Sequence, residues 1–377
     1  MISKDPRSLL RMADRLVRSL RPHILPSHRK AYAALLKRGL DQYPHGRPIA
    51  CFDLADQSID AVGGRYYFGF VRDVIDAGYF PVFVAWRGTV SSFGSSRFKS
   101  LLLPEALGFV RSADEIPHPF IWITDRRAET PANAVKIVRV NYGLRMCSNP
   151  GELPFPFFVH PKKAGLAKSF RGAEPGRHRN VRIFFGGKTS DEVYGRSVLG
   201  LRYGMLSRRE MLDVACSLLP EDQINKPDDA MRWLTSADEQ RMTLFETQHC
   251  RVPSERWLDA LAKADFFLAC PGADMPLCHN LIEAITAGAI PILQYARYLT
   301  PALEHGVNCL AFHDAQSLRE AVASALRMDE ADIRKMRENV MRYHELHLAP
   351  GCFAERLFAG PQRERSLLLN DYRFPRS

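Results

Sequence analysis

No window of the chain holds the roughly eighteen consecutive apolar residues that a bilayer-spanning helix needs, so nothing in the sequence reads as a membrane span. Residues 1–25 carry Lys4, Arg7, Arg11, Arg15, Arg18 and Arg21 with no continuous apolar core among them, which argues against a secretory signal. A CxxC pair is also missing. The eight cysteines, at 51, 147, 216, 250, 270, 278, 309 and 352, are scattered and have no histidine at zinc-finger spacing. They read as reduced core thiols in a reducing compartment, without a structural metal or a disulfide framework. Neither the GxxxxGK(S/T) spacing of a P-loop nor a DxD triplet occurs. No zinc finger, RNP-type aromatic motif or helix-turn-helix pattern is present, and nucleic acid is not an expected partner.

What the sequence has is length, positive charge and strand–helix alternation. At 377 residues it is too long for one ordinary core and suggests two domains. Hydrophobic residues make up 46% and charged ones 25%, which suits a globular protein. A formal net charge of +10 implies attraction to something acidic, and charge alone does not choose what. Between Pro6 and Pro22, Leu9, Leu10, Met12, Ala13, Leu16, Val17 and Leu20 recur at helical spacing with arginines on the remaining surface. The spacing predicts a basic amphipathic helix, which either docks on an anionic membrane surface or packs on its own protein.

A second helix is expected over His28–Leu40, then Ile49–Leu54 as a first buried strand. The polar loop Ala55–Gly64 follows, then a helical stripe through Tyr66, Phe70, Val71, Val74 and Ile75, and a strand at Pro81–Trp86. Asp53, Asp56 and Asp60 lie at or after the carboxyl end of the first strand, where a carboxylate can take a proton from a hydroxyl. A cap or a solvated carboxylate is the plainer reading of each. Gly63-Gly64 lets a loop approach a substrate closely, although a glycine pair also simply satisfies a turn. Phe120–Thr124 and Val135–Val140 read as further strands, and Arg126 or Arg127 suits an anionic ligand, with surface exposure the alternative. Asn149–Pro156 marks a boundary, and Pro161–Asn180 reads as linker and surface loop. After the strand Val181–Phe185, Gly186-Gly187-Lys188 offers small residues and a charge to a phosphate, or only a turn.

Residues 264–312 are the most informative. Asp265–Cys270 reads as a buried strand broken at Pro271-Gly272; a helix follows from Pro276 to Gly288, and Ala289–Leu293 returns as a strand. That is the βαβ unit of a parallel sheet. His279 and Glu283 share one helix face near its N-terminus, beside the loop where open α/β sheets bind ligands. Free N–H groups and an imidazole suit a phosphate there, and a carboxylate one turn deeper can accept from two ribose hydroxyls. A solvated histidine and a helix-surface glutamate are the alternative. Helices are also expected over Ser207–Leu219, with Ser207 and Glu210 as a capping box, and over Val252–Ala264, Ser317–Met328, Ala331–His344 and Ala349–Gly360. The tail Pro361–Ser377 reads as polar and poorly packed.

The pattern Glu283-Ala284-x-x-x-Gly288-x-x-Pro291, with Pro271-Gly272 before it and Glu304-His-Gly-Val-Asn308-Cys-Leu after it, resembles the nucleotide-sugar signature of GT-B glycosyltransferases. Met275 stands where the retaining enzymes of that fold place a second glutamate. Phe267–Pro291 is closer to exostosin-like enzymes, which implies an inverting reaction. The resemblance covers roughly residues 150–330.

It implies an α/β chain of two Rossmann-like domains facing a cleft (GT-B), preceded by the N-terminal amphipathic helix. The expected divisions are 1–45 as that helical segment, 46–155 as the acceptor domain, 156–345 as the nucleotide-sugar-binding domain, and 346–377 as a returning helix with its tail. The implied activity moves a sugar from a nucleotide-sugar donor to a saccharide or glycolipid hydroxyl in surface polysaccharide or glycoconjugate synthesis, with no cofactor and no metal. Gly186, Gly187, Lys188, Pro271, Gly272, His279, Asn280 and Glu283 would hold the donor; Asp53, Asp56 or Asp60 would be the base; Gly63, Gly64, Arg65 and Arg126 would serve the acceptor side. The expected location is cytoplasmic, with an anionic membrane surface as a further partner if residues 6–22 dock there. A nucleotide-sugar epimerase, or a non-catalytic nucleotide- or anionic-surface-binding protein, is the alternative.

Overall fold

The computed structural model describes residues 17, 20, 25–143, 151–172, 174–190, 194, 198–273 and 275–370. The amphipathic helix expected over 6–22 falls outside them, apart from Val17 and Leu20. In chain order the strands are β1 (Ile49–Asp53), β2 (Phe80–Val84), β3 (Gly108–Val110), β4 (Phe120–Thr124), β5 (Ala134–Gly143), β6 (Glu152–Pro154) and β7 (Val181–Gly187). There follow β8 (Ile224–Asn225), β9 (Gln240–Glu246), β10 (Ala264–Leu268), β11 (Ile290–Leu293), β12 (Leu310–Ala311) and β13 (Glu364–Asn370). Among the described residues they form two sheets, ordered β3-β2-β1-β4-β5-β13-β6 and β12-β11-β10-β7-β9-β8, with every pairing between strands parallel. The chain divides into two compact units, Met1–Phe155 with Pro350–Ser377, and Pro156–Ala349.

Parallel strands need crossover connections and are covered on both faces, which is why they read as unbroken apolar runs. β1, β2 and β4 are buried at every residue. Cys51, Val82 and Trp122 belong to the core on one face of the first sheet. On the other, Phe52, Phe83 and Phe109 follow one another at 5.3 and 5.4 Å, and Tyr67 and Phe70 of helix Ala61–Asp76 close over Phe52.

Several expectations need correction. Of the tail, residues 364–370 are firmly held: β13 lies between β5 and β6, paired from Glu364↔Ile137 to Asn370↔Gly143, with Leu367, Leu368 and Leu369 fully buried, while 371–377 lie outside the described residues. Helix Pro26–Leu36 ends four residues earlier than expected. The stretch read as loop 55–64 is largely helical: Gln57–Asp60 forms a 3-10 turn, and the next helix begins at Ala61. Its first turn therefore contains Gly63 and Gly64, at φ +70° and +79°. Pro161–Asn180 is not plain linker, for it contains the turn Pro161–Lys163 and helix Ala164–Ser169. The helix expected from Pro276 starts at His279, because Gly272 N–H donates to Pro276 O and closes 272–276 as a turn.

Candidate functional site

In an open parallel sheet the ligand crevice lies outside the carboxyl ends of the strands where the strand order reverses. The second sheet starts at β7, sends β8 and β9 to one side and β10 to β12 to the other, so its crevice is bounded by the loops after β7 and β10. Sequence reasoning missed the residue that ties these loops together. Arg208 is the first residue of helix Arg208–Cys216, behind the observed Ser207/Glu210 capping box. It is only 4% exposed, donates through Nη1 to Lys188 O at 2.7 Å and through Nη2 to Pro271 O at 2.8 Å, and stacks on Tyr194 at 3.8 Å. Its Nε–H has no acceptor among the described residues. Only its position in a capped helix start was visible in the sequence.

The expected donor residues do converge here, but two glycines have a different reason. Gly186 and Gly187 are the last residues of β7, not a loop, and they make room for protein. A Cβ on Gly186 would lie 2.6 Å from the Trp257 ring, and one on Gly187 3.1 Å from Arg208 Nη1. Asn280 Nδ2 donates to Gly186 O at 3.2 Å, binding the N-terminus of helix His279–Thr286 to the end of β7. A Cβ on Gly272 would lie 2.7 Å from Met275 O, so the turn after Pro271 requires glycine. Lys188 is exposed beside these loops, and its ammonium has no partner among the described residues. His279 stacks near-parallel on Phe157 at 6.4 Å and edge-on to His160 at 5.0 Å. Burial pushes the Cys270 thiol up to about 12, which leaves it un-ionised and no nucleophile.

Glu283 is where structure and sequence part. It is fully buried, accepts His160 N–H at 3.1 Å on Oε1, and pairs through Oε2 with Lys163 Nζ at 2.8 Å. Both oxygens hold the chain's own segment 160–163, so the carboxylate expected on a ribose is instead a clamp.

The first sheet reverses between β1 and β4, and carboxylates gather at the carboxyl ends of these strands. Asp53 accepts from Trp86 Nε1 at 2.6 Å and Trp122 Nε1 at 3.1 Å, with Arg126 at 3.7 Å, and is committed to the interior. Asp60 is held by the fully buried Lys99 ammonium at 2.7 Å, a group that also donates to Ser92 Oγ and Thr89 O. Neither carboxylate is placed to meet a substrate. Asp56 differs: it is half-buried, and its Oδ1 takes both Ser58 N–H and Oγ–H, at 2.8 and 2.6 Å. Its loop is fixed from outside by Asp125, the missed residue here, which accepts Ala55 N–H at 3.0 Å, Asp56 N–H at 2.9 Å and Tyr142 O–H at 3.0 Å. Burial raises the Asp125 carboxyl above its ordinary value, against the lowering by those backbone donors.

The acceptor-side expectations divide. A Cβ on Gly64 would lie 2.7 Å from Lys99 Cγ and from Ser96 Oγ, so the glycine pair serves the approach of segment 96–99, not of a substrate. Arg65 lies over the Phe98 ring. Arg126 is 40% exposed and stacks on Trp86 at 4.4 Å, beside Asp53.

No family model matches the chain, and no curated protein does. Among solved structures, Anabaena HepE in complex with UDP is similar at 11% identity and TM-score 0.43, covering 82% of this chain and 99% of that one. WaaG, a glycosyltransferase involved in lipopolysaccharide biosynthesis, is similar at 13% identity and TM-score 0.35, covering 83% and 100%. A trehalose-6-phosphate synthase is similar at 13% identity and TM-score 0.32, covering 55% of this chain and 52% of that one, so this chain spans about half its length. No helix among the described residues is long and apolar enough to cross a membrane.

Proposed function

We propose that the chain is a glycosyltransferase of the GT-B type, moving a sugar from a nucleotide-sugar donor to a saccharide or glycolipid hydroxyl with inversion, as its exostosin-like signature suggests. The observation that carries this reading is exposed Lys188 at the carboxyl-end crevice of the second sheet, on a loop that the buried Arg208 guanidinium ties to the loop after β10. The N-terminus of helix His279–Thr286 stands at the same end. Cationic side chains and helix N-termini are the groups that hold a diphosphate and stabilise the charge it gains on leaving. Of Asp53, Asp56, Asp60 and Asp125, Asp56 is the one with an oxygen to spare, and it takes the proton from the acceptor hydroxyl. The acceptor oxygen then bonds to the anomeric carbon as the bond from that carbon to the diphosphate breaks, and the electron pair leaves on the nucleotide. This scheme needs no metal.

A thermal-shift panel of UDP, GDP, CMP, ADP and dTDP with their sugars tests the reading, because a ligand that prefers the folded state raises its stability. A selective response is expected, weakened about tenfold or more in Kd by Arg208→Gln and several-fold by Lys188→Gln, a charge–oxygen contact being worth roughly 1.5–3 kcal/mol. Lys188 has no internal partner, so its variant keeps the fold and the comparison clean. No response to any nucleotide overturns the reading; binding without sugar transfer reduces it to a non-catalytic nucleotide-binding protein.

A further inference from the structure

The second sheet has another opening, at the end opposite the crevice. Asn180 leads into β7, Lys263 into β10, and Ala237 belongs to the segment entering β9. Because the strands are parallel, these entries share one edge of the sheet, about 20 Å from the carboxyl-end loops by strand length. They frame a cavity of about 400 Å³, with Arg177, Arg256 and Phe170 on its walls. That volume suits a small ligand.

Its charges do not balance. Arg256 is matched by Asp259 at 2.5 Å, and His178 by Glu239 at 2.7 Å. Lys263 has no carboxylate partner: its ammonium donates to Ser236 O at 2.5 Å and Leu234 O at 3.3 Å, and lies 5.3 Å from the Trp233 ring centroid. Two carbonyls leave a third N–H and a full positive charge, fixed in position rather than waving in solvent. The Arg177 guanidinium has no partner among the described residues and lines the same cavity; burial first, and then the nearby Arg177 charge, make the Lys263 ammonium easier to deprotonate, against the opposing charge of Asp238. Two adjacent cations, one immobilised and neither in ion-pair contact with a carboxylate among the described residues, form a receptor for a compact anion.

We propose that this cavity is a second binding site, for a small phosphate-bearing anion, separate from the carboxyl-end crevice. Arg177 and Lys263 hold the phosphate oxygens, and the Phe170 ring flanks whatever the phosphate carries.

Titration calorimetry at low ionic strength with inorganic phosphate and with phenyl phosphate tests it, on the full chain. The wild type should bind one phosphate, and Arg177→Gln should weaken it about tenfold while leaving the thermal midpoint in phosphate-free buffer unchanged. Lys263→Met should weaken it too, but loses two carbonyl bonds and lowers the midpoint; Arg177→Gln therefore carries the decision. Tighter binding of phenyl phosphate identifies an ester as the ligand, and equal affinities identify the free anion. No binding to the wild type, equal binding to Arg177→Gln, or displacement of phosphate by UDP each overturns the proposal. Failure of every nucleotide to bind would instead defeat the donor reading and leave this site standing.

Discussion

Substituting Glu283 by glutamine distinguishes a ribose contact from an internal clamp. The side chain is fully buried, with Oε2 2.8 Å from Lys163 Nζ and Oε1 accepting His160 N–H at 3.1 Å. Glutamine keeps the volume and the His160 bond, but it turns an amide NH₂ toward an ammonium and leaves Lys163, 13% exposed, without a countercharge. Removing one member of a buried pair costs about 3–5 kcal/mol. Lys163 keeps some solvent and lies 4.8 Å from the Trp257 ring centroid, which brings the cost to or just below the bottom of that range, about 2–3 kcal/mol. For a unit of this size that is a fall of about 4–12 °C in the midpoint of its transition. A double-mutant cycle of Glu283→Gln with Lys163→Met, read by calorimetry, should show a coupling of about 1 kcal/mol or more. UDP affinity should change by less than about threefold, since no ligand-facing atom is altered. An unmoved midpoint together with a tenfold or greater loss of UDP affinity would refute the clamp and return the carboxylate to the ribose.

Gly64→Ala should destabilise the first unit by about 1–3 kcal/mol or more, since φ is +79° and the new Cβ would meet Lys99 Cγ at 2.7 Å; an unchanged urea midpoint rules out this account of the glycine pair. Leu368→Ala should cost about 2–5 kcal/mol if β13 is an interior strand, and a loss under about 0.5 kcal/mol would mean the tail is dispensable. Asp73 accepts Gly351 N–H at 2.8 Å and Ala354 N–H at 2.7 Å, and burial holds its carboxyl at about 7, above the ordinary 3.8. The native state therefore keeps a proton that the unfolded chain has lost. The stability this contributes, up to about 4 kcal/mol, is fully present below pH 3.8 and is lost as pH rises through about 7. Unfolding of wild type and Asp73→Asn across pH 4–8 checks it, and a stability difference that stays flat with pH contradicts it.

The parallel strands were legible because burial on both faces leaves a continuous apolar run, and Phe120–Thr124 is read to the residue. β13 was not, because Leu367–Leu369 are three apolar residues between Arg363-Glu364-Arg365 and Asn370. Their burial comes from β5, more than two hundred residues earlier, and local composition carries no trace of it. The place of Glu283 on its helix was legible and its role was not. The partners His160 and Lys163 lie 123 and 120 residues upstream, Lys163 in a basic stretch without apolar period that reads as linker and His160 just before it. Arg208 was hidden by a sufficient local explanation: Ser207-Arg-Arg-Glu210 accounts for itself as a capping box. Only tertiary structure carries the guanidinium to carbonyls 20 and 63 residues away.

The two crevices occupy the same topological position in their own sheets yet differ in charge. Among the described residues, Asp53 ends β1, Asp56 and Asp125 follow β1 and β4, and Arg126 and Arg127 follow Asp125; after β7 and β10 the described charged groups include Lys188 and the Arg208 that binds their loops. A displacement at an anomeric carbon needs both kinds of group, a carboxylate to accept a proton and fixed positive charge to receive a diphosphate. The two demands cannot be exchanged: carboxylates facing a diphosphate would repel it, and a permanently charged guanidinium cannot take a proton. On the proposed reading, the fixed cations of the second unit suit the donor nucleotide and the carboxylates of the first suit the acceptor hydroxyl. Among Asp53, Asp56, Asp60 and Asp125, Asp56 is the one with a carboxylate oxygen that no described neighbour holds.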